Sequence, residues 1–445
     1  MIHKYRINGY NIVIDVASGA VHVLDNCVFD VLDYYPQRNA DETVKTLTQY
    51  PADEVRSCIT EIDALAGEGL LFTQDVPVPP GLTGGHVVKA LCIHAAHDCN
   101  LRCAYCFAGK GGYHGARGLM PLDTGLAAVD FLIANSGNRR NLEIDFFGGE
   151  PLMNLDVVKQ ITFYCKEQEQ ARGKKFRFTL TTNGVLLDDE SIDFINEHMD
   201  NVVLSLDGRK DVNDRMRGFA NGRGSYDVVL PKFQRLVSER GHRDYYIRGT
   251  YTRGNMDFAE DVKHLAALEF KYISVEPAAS PETEAYALKL TDADALCGEY
   301  ERLARYVLDT ARAGEPVEFF HFKIDLEGGP CVRKRVSGCG AGSEYFAVAP
   351  DGGLYPCHQF AGMGDFKVGD VFGGLNGSPL LKKFAETNLY SIEKCADCWA
   401  RYYCGGGCAA NAHNISGDIG VPYELGCVLH RKRCECAIML KAAGV

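Results

Sequence analysis

Between residues 87 and 277, short apolar runs alternate with amphipathic helical stretches, and this alternation restricts the fold more than any other feature. The strand-like runs are Val87–His94, Leu142–Phe147, Phe176–Thr181, Val202–Leu206, Tyr245–Tyr251 and Tyr272–Glu276. Helical periodicity fills the gaps, as in Pro121–Asn135 and Leu155–Arg172. Such alternation predicts a parallel sheet, because a parallel neighbour needs a long crossover, usually a helix. Six units predict an α/β fold, a partial TIM-like (β/α)6 barrel with its reactive groups at the C-terminal strand ends. The chain has 445 residues, more than one core usually holds, so further domains are expected.

Upstream, Tyr10–Val16 and Ala20–Leu24 flank Ser18-Gly19, a hairpin signal. Helical patterns follow near Val28–Tyr35, Asp41–Gln49 and Ala52–Ala66, and Leu70–Thr73 reads as a returning strand. A hairpin with three short helices predicts a separate winged-helix domain over residues 1–78, followed by a Pro/Gly linker at Val76–Gly85. The barrel unit and a long bridging helix, Ala293–Ala313, occupy 87–313. Over 328–445 cysteine and glycine become dense and apolar periodicity fades, which predicts a region with little apolar core, held by metal.

The net charge of −12 leaves no broad basic footprint for nucleic acid. No apolar run approaches the roughly 18 residues that span a membrane. The start, MIHKYRINGYNIVID, lacks an export pattern, so a reducing cytoplasm is the expected compartment. Eighteen cysteines are there expected to bind metal rather than pair. Cys27, Cys58, Cys92, Cys165 and Cys297 lie on apolar-periodic segments and read as core. Cys434 and Cys436 carry no assigned role, with Cys434 a spare ligand should Cys427 not serve.

Directly after the first barrel strand comes Cys99-Asn-Leu-Arg-Cys103-Ala-Tyr-Cys106. Three thiolates on a four-iron cluster leave one iron open. A structural zinc loop with a distant fourth ligand has the same spacing. The loop resembles the hallmark of the radical S-adenosylmethionine superfamily, with Tyr105 in the aromatic place before the third cysteine. Gly148-Gly149-Glu150-Pro151 at the second strand end is similar to that family's Gly-Gly-Glu-Pro motif. Thr182-Asn183-Gly184 and Ser205-Leu206-Asp207-Gly208 end the next two strands. The resemblance implies that Tyr105, Gly148, Gly149, Glu150, Asn183, Ser205 and Arg217 contact S-adenosylmethionine. Arg217 would pair with the cofactor carboxylate, with Arg215 as a competing candidate. His94, His97 and His114 near the loop read as satisfied polar groups.

A second signal is Cys339, Gly352-x4-Cys357, Cys395-x2-Cys398-x5-Cys404-x3-Cys408 and Cys427. This resembles the SPASM extension of radical enzymes that modify peptides. The resemblance implies two auxiliary 4Fe–4S clusters, three clusters in all. Cys339, Cys357 and Cys408 would belong to the first, and Cys395, Cys398, Cys404 and Cys427 to the second. Cys331, eight positions before Cys339, could be an extra, displaceable ligand.

The N-terminal pattern resembles the winged-helix element that captures leader peptides, which would add as a strand to the hairpin edge. Gly9–Val13 with Ser18–Val23, Arg335–Gly340 and Tyr355–Gln359 resemble the maturases of SCIFF peptides (six cysteines in forty-five residues). That resemblance implies a thioether between a cysteine sulfur and a carbon of another residue in a precursor peptide, with electrons from a flavodoxin- or ferredoxin-type reductant. It makes Cys331 and His358 the candidate catalytic residues. An anaerobic sulfatase maturase, which oxidises Cys or Ser to formylglycine, is the alternative. That family has an aspartate after the cysteine aligned with Cys357, where His358 stands here. A non-catalytic iron–sulfur or zinc module has no use for Gly148-Gly149-Glu150-Pro151 beside the cysteine loop.

Overall fold

A computed structural model describes residues 1–75, 87–326, 336 and 338–445. The chain opens with an antiparallel sheet of β1 (Ile2–Ile7), β2 (Tyr10–Asp15) and β3 (Val21–Leu24), in that order. Helices α1 (Asn26–Val31), α2 (Ala40–Thr46) and α3 (Ala52–Gly67) follow. The turn after β2 is held by Asp15, whose Oδ1 accepts from the Ser18 amide and hydroxyl, both at 2.9 Å. Val13 packs on the helices, whereas Ile12, Ile14 and Val16 point the other way and join the main core.

Leu70–Thr73 does not return as a strand. Leu71 is buried, but Phe72 has φ +53°, which breaks an extended run. Side chains hold the segment instead. The Thr73 amide donates to Asp15 Oδ2 at 3.0 Å, and His22 Nε2 lies 3.0 Å from the Leu70 carbonyl. The third strand is β1, which places Tyr5 and Ile7 in the main core. The N-terminal unit is fastened there by Tyr5 Oη donating to the Glu435 carbonyl at 3.0 Å and by a His3–Trp399 stack at 4.0 Å.

The barrel strands are β4 (Ala90–Ala96), β5 (Asn141–Gly148), β6 (Lys175–Thr182), β7 (Asn201–Ser205), β8 (Tyr245–Tyr251) and β9 (Tyr272–Pro277). They are parallel and adjacent in chain order. Leu91, Ile93, Ile144, Phe146, Phe178 and Leu180 are fully buried in the core that also contains helix residues such as Leu132, Val158 and Ile161. By the two-residue period the other face carries Asp145, Thr179, Arg248 and Glu276, so the barrel interior is polar.

The sheet continues at both edges. β10 (Glu318–Phe319) pairs parallel with β9, and β11 (Tyr345–Val348) pairs parallel with β4. Short antiparallel strands β12 (Gly353–Tyr355), β13 (Gly369–Asp370) and β14 (Gly374–Leu375) follow β11. The expectation of little apolar core beyond residue 328 is therefore corrected. Phe346, Val348, Leu354 and Phe360 are fully buried, and the helix Glu424–Ala442 buries Leu425, Leu429 and Ile438. Its strands of two to four residues are too short for a hydrophobic period to register. No helix among the described residues is long and apolar enough to cross a membrane.

Candidate active site

β4 ends at Ala96, and the chain leaves it in a loop closed by the His97 amide donating to the Gly118 carbonyl at 2.8 Å. Cys99, Cys103 and Cys106 lie on this loop with unpaired thiols. Burial pushes Cys99 up to about 12, and the charges of Glu150, Cys103 and Cys106 add to the rise. Two amides aim at its sulfur, Leu101 N at 3.4 Å and Asn183 Nδ2 at 3.5 Å. Such N–H···S contacts favour a thiolate and tune a cluster bound to it.

The loop is clasped from two sides. Arg102 and Ala104 donate their amides to the carbonyls of Gly218 and Met216, each at 2.8 Å. On the β5 side the Gly149 amide reaches the Ala96 carbonyl at 2.8 Å, and the Glu150 amide reaches that of Asp98 at 2.9 Å. This approach is why the glycines are there. Gly148 has φ +120°, and a Cβ on it would lie 2.3 Å from the Ala96 oxygen. A Cβ on Gly149 would lie 2.0 Å from the Asp98 oxygen.

Glu150 is fully buried, and burial pushes its carboxyl up to about 7. It accepts from Leu152 N at 3.1 Å, Thr182 Oγ1 at 2.7 Å and Asn183 N at 2.8 Å. These bonds tie the ends of β5 and β6 together, so Glu150 braces the site as well as facing it. Asn183 Nδ2 also donates to Asn100 Oδ1 at 2.8 Å. Ser205 ends β7 half-buried. Arg217 is 9% exposed, and its Nη1 donates to Tyr105 Oη at 2.8 Å. Arg215 is exposed and donates to the Gly254 carbonyl at 2.9 Å, outside this group. Tyr105 donates in turn to Asp207, whose only signal in the sequence is its place at the strand end Ser205-Leu206-Asp207-Gly208.

The C-terminal thiols fall into two groups. Cys357, pushed up to about 12 mainly by burial, also feels Cys408 and Cys339. Cys427, likewise raised to about 12 by burial, feels Cys404 and Cys395, and Cys404 feels Cys398. Cys331 lies outside the described residues. Cys434 and Cys436 are buried on the last helix, and Cys27, Cys58, Cys92 and Cys165 are buried as read. Cys297 is half-buried.

A layer of rings joins the cysteine loop to Cys357. Tyr113 stacks on His97 at 4.4 Å and donates to the Gly148 carbonyl at 3.0 Å. Phe107, next to Cys106, meets His358 at 5.6 Å, and Phe147 meets it at 5.1 Å. Burial, reinforced by Arg248, holds His358 down at about 4, so its imidazole is neutral at pH 7. Its Nδ1 lies 3.3 Å from Tyr345 Oη. His94 and His97 meet at 3.0 Å, yet His94 Nε2 is buried without a partner among the described residues, against the expectation of a satisfied group.

The donor chemistry fits the expected groups. Three thiols share one loop at the C-terminal strand edge, Cys357 packs in the same layer as Cys106, Cys395 and Cys398 pack in a different part of the core, and the buried Arg217 guanidinium acts on Cys103. Residues 94–257 match the Radical SAM superfamily, and residues 339–399 match the SPASM iron–sulfur cluster-binding domain. The chain is 25% identical over 345 residues to a cysteine-type anaerobic sulfatase-maturating enzyme of Clostridium novyi, covering 71% of this chain and 86% of that protein. It is 26% identical over 324 residues to the antilisterial bacteriocin subtilosin biosynthesis protein AlbA of Bacillus subtilis, covering 70% and 65%. A solved structure of anSMEcpe with bound AdoMet and Cp18Cys peptide shares the fold, with TM-score 0.66, 21% identity and coverage of 80% of this chain and 99% of that one.

Proposed function

We propose that this chain, a radical S-adenosylmethionine enzyme with a SPASM domain related to the anaerobic sulfatase maturases and peptide-modifying radical enzymes, oxidises a cysteine-bearing peptide. The observation that carries this reading is the single packed layer shared by the cysteine loop and Cys357 at the mouth of a polar barrel. When bound, S-adenosylmethionine and the cluster on Cys99, Cys103 and Cys106 supply a 5′-deoxyadenosyl radical. Tyr105, Gly148, Gly149, Glu150, Asn183, Ser205 and Arg217 would hold the cofactor. Cys339, Cys357 and Cys408 would hold one auxiliary 4Fe–4S cluster and Cys395, Cys398, Cys404 and Cys427 another, with Cys331 an exchangeable ligand of the former. A flavodoxin- or ferredoxin-type protein would supply electrons.

Two finer readings differ in the product. In formylglycine formation a hydrogen atom leaves the substrate cysteine's Cβ with one proton and one electron, water supplies the carbonyl oxygen, and the sulfur departs as sulfide. In thioether formation a C–H bond breaks and an S–C bond forms; a hydrogen atom, the thiol proton and one electron leave. The maturase relatives favour the first. His358 favours the second, because a maturase aspartate is expected in its place. Anaerobic incubation with reductant, S-adenosylmethionine and a cysteine-rich peptide, read by mass spectrometry, separates them. Loss of sulfur marks formylglycine; loss of two hydrogens with sulfur kept marks the thioether. Deoxyadenosine formed with every tested cysteine peptide left unchanged rejects peptide oxidation.

The N-terminal sheet would receive a leader peptide on the outer edge of β3, where Val23 is 52% exposed. Val23→Asp is expected to weaken leader binding about tenfold, a loss typical of a polar group placed against an apolar contact. Uncoupled cofactor cleavage should stay unchanged. Equal calorimetric affinity in wild type and variant rejects leader capture at this edge.

A further inference from the structure

We propose that Asp207 is a positioning residue, holding Tyr105 and Arg217 in the poses from which they meet S-adenosylmethionine. This rests on the reading that the cofactor binds at this strand edge. Asp207 is fully buried just beyond β7. Tyr105 Oη donates to its two oxygens at 2.8 and 2.7 Å, and the Thr250 amide donates to Oδ1 at 3.1 Å. Asp207 therefore joins the end of β7, strand β8 and the cysteine loop.

A buried guanidinium beside a carboxylate usually closes on it as a bidentate pair. Here it does not. The Arg217 Nη1–Asp207 Oδ1 separation is 4.0 Å, and the Tyr105 hydroxyl stands between them, accepting from Nη1 at 2.8 Å. The charge of Arg217 is thus steadied through Tyr105 rather than capped by Asp207. A guanidinium carries five N–H donors in a fork that suits a carboxylate, and one is engaged on Tyr105. The backbone is equally constrained. The carbonyls on either side of Arg217, at Met216 and Gly218, accept from the cysteine loop, and its own carbonyl accepts from Ser225 Oγ at 2.7 Å. With both the loop and the arginine backbone fixed, the hydroxyl relay sets the remaining freedom, the swing of the Tyr105 ring and of the Arg217 head.

The test uses the reconstituted holoenzyme under anaerobic conditions. S-adenosylmethionine affinity is measured by equilibrium dialysis, and the cofactor-induced change in the cluster EPR spectrum is recorded. Tyr105→Phe removes one oxygen, and Asp207→Ala removes the hub. Each should weaken binding about ten- to hundredfold, the range for losing a hydrogen bond to a charged group, and alter the cofactor-induced spectrum. Asp207→Asn keeps an acceptor and the shape, and should recover most of the affinity. Tyr105→Phe with Asp207→Ala should be no worse than Asp207→Ala alone, since one relay is cut in both. Wild-type affinity and spectrum in Tyr105→Phe, or additive losses, overturn the relay. Should Asp207→Ala fail to fold, Asp207→Ser, whose hydroxyl is too short to reach Tyr105 Oη, takes its place in the same cycle with Tyr105→Phe. A wild-type holoenzyme that binds no cofactor overturns the reading of the site together with the relay.

Discussion

Replacing Cys99, Cys103 and Cys106 together with alanine is expected to reduce 5′-deoxyadenosine formation to background. Alanine offers no ligand, and a cluster with no thiolate at this loop cannot be held. The loss should be selective. The second thiol set, from Cys395 to Cys427, stands on separate helices and a different part of the core. The first set is nearer, because Cys106 packs in the layer that contains Cys357. Iron content should therefore fall without vanishing, and the EPR signals of the auxiliary clusters should remain. Single substitutions check for indirect damage: each should give the same loss of cleavage with less change in packing. Cofactor cleavage that persists in the triple variant rejects the assignment of these three ligands.

The barrel strands were legible because β5 to β8 bury every second residue and β4 and β9 are short buried runs, so each end falls within three residues of its predicted place. The cysteine loop was legible because its spacing is local. What escaped was pairing at long range. Tyr345–Val348 has no signature announcing that it lies beside β4, where Tyr345 pairs with Ala90 and Val348 with Ile93. Tyr105 and Asp207 are 102 residues apart, and neither predicts the other without the sheet that brings their ends together. β1 carries no clear strand signature because Lys4 and Arg6 at alternate positions hide an apolar face: Lys4 folds back over the Phe29 ring at 4.2 Å rather than marking a loop. Leu70–Thr73 imitates a strand because Leu70, Leu71 and Phe72 are apolar, while the backbone turns at Phe72.

Gly149→Ala is expected to disable the site more severely than its one added methyl group suggests. The Cβ would be 2.0 Å from the Asp98 oxygen and 2.6 Å from its carbonyl carbon, with Gly111 O at 3.1 Å. These are backbone atoms, which cannot swing aside as a side chain can. Either β5 or the cysteine loop must retreat. Retreat of the loop breaks the Glu150 N–Asp98 O bond of 2.9 Å and carries Cys99, the next residue, with it. Glu150 then loses its place opposite Thr182 and Asn183, so the β5–β6 brace loosens too. Overpacking costs about 1–3 kcal/mol, and the broken hydrogen bond adds about 1 kcal/mol. A domain with a few kcal/mol in hand survives that, so the variant should fold with a lowered melting temperature. Its geometry should not survive: a displacement on the order of 1 Å can cost about a hundredfold in rate. Gly118→Ala is the control, since a Cβ there meets nothing within 4 Å on the same loop. Iron content, the EPR spectrum and deoxyadenosine formation should match wild type in Gly118→Ala and fall together in Gly149→Ala. Wild-type cleavage in Gly149→Ala rejects the close approach of β5 to the cysteine loop as the device that sets the cluster.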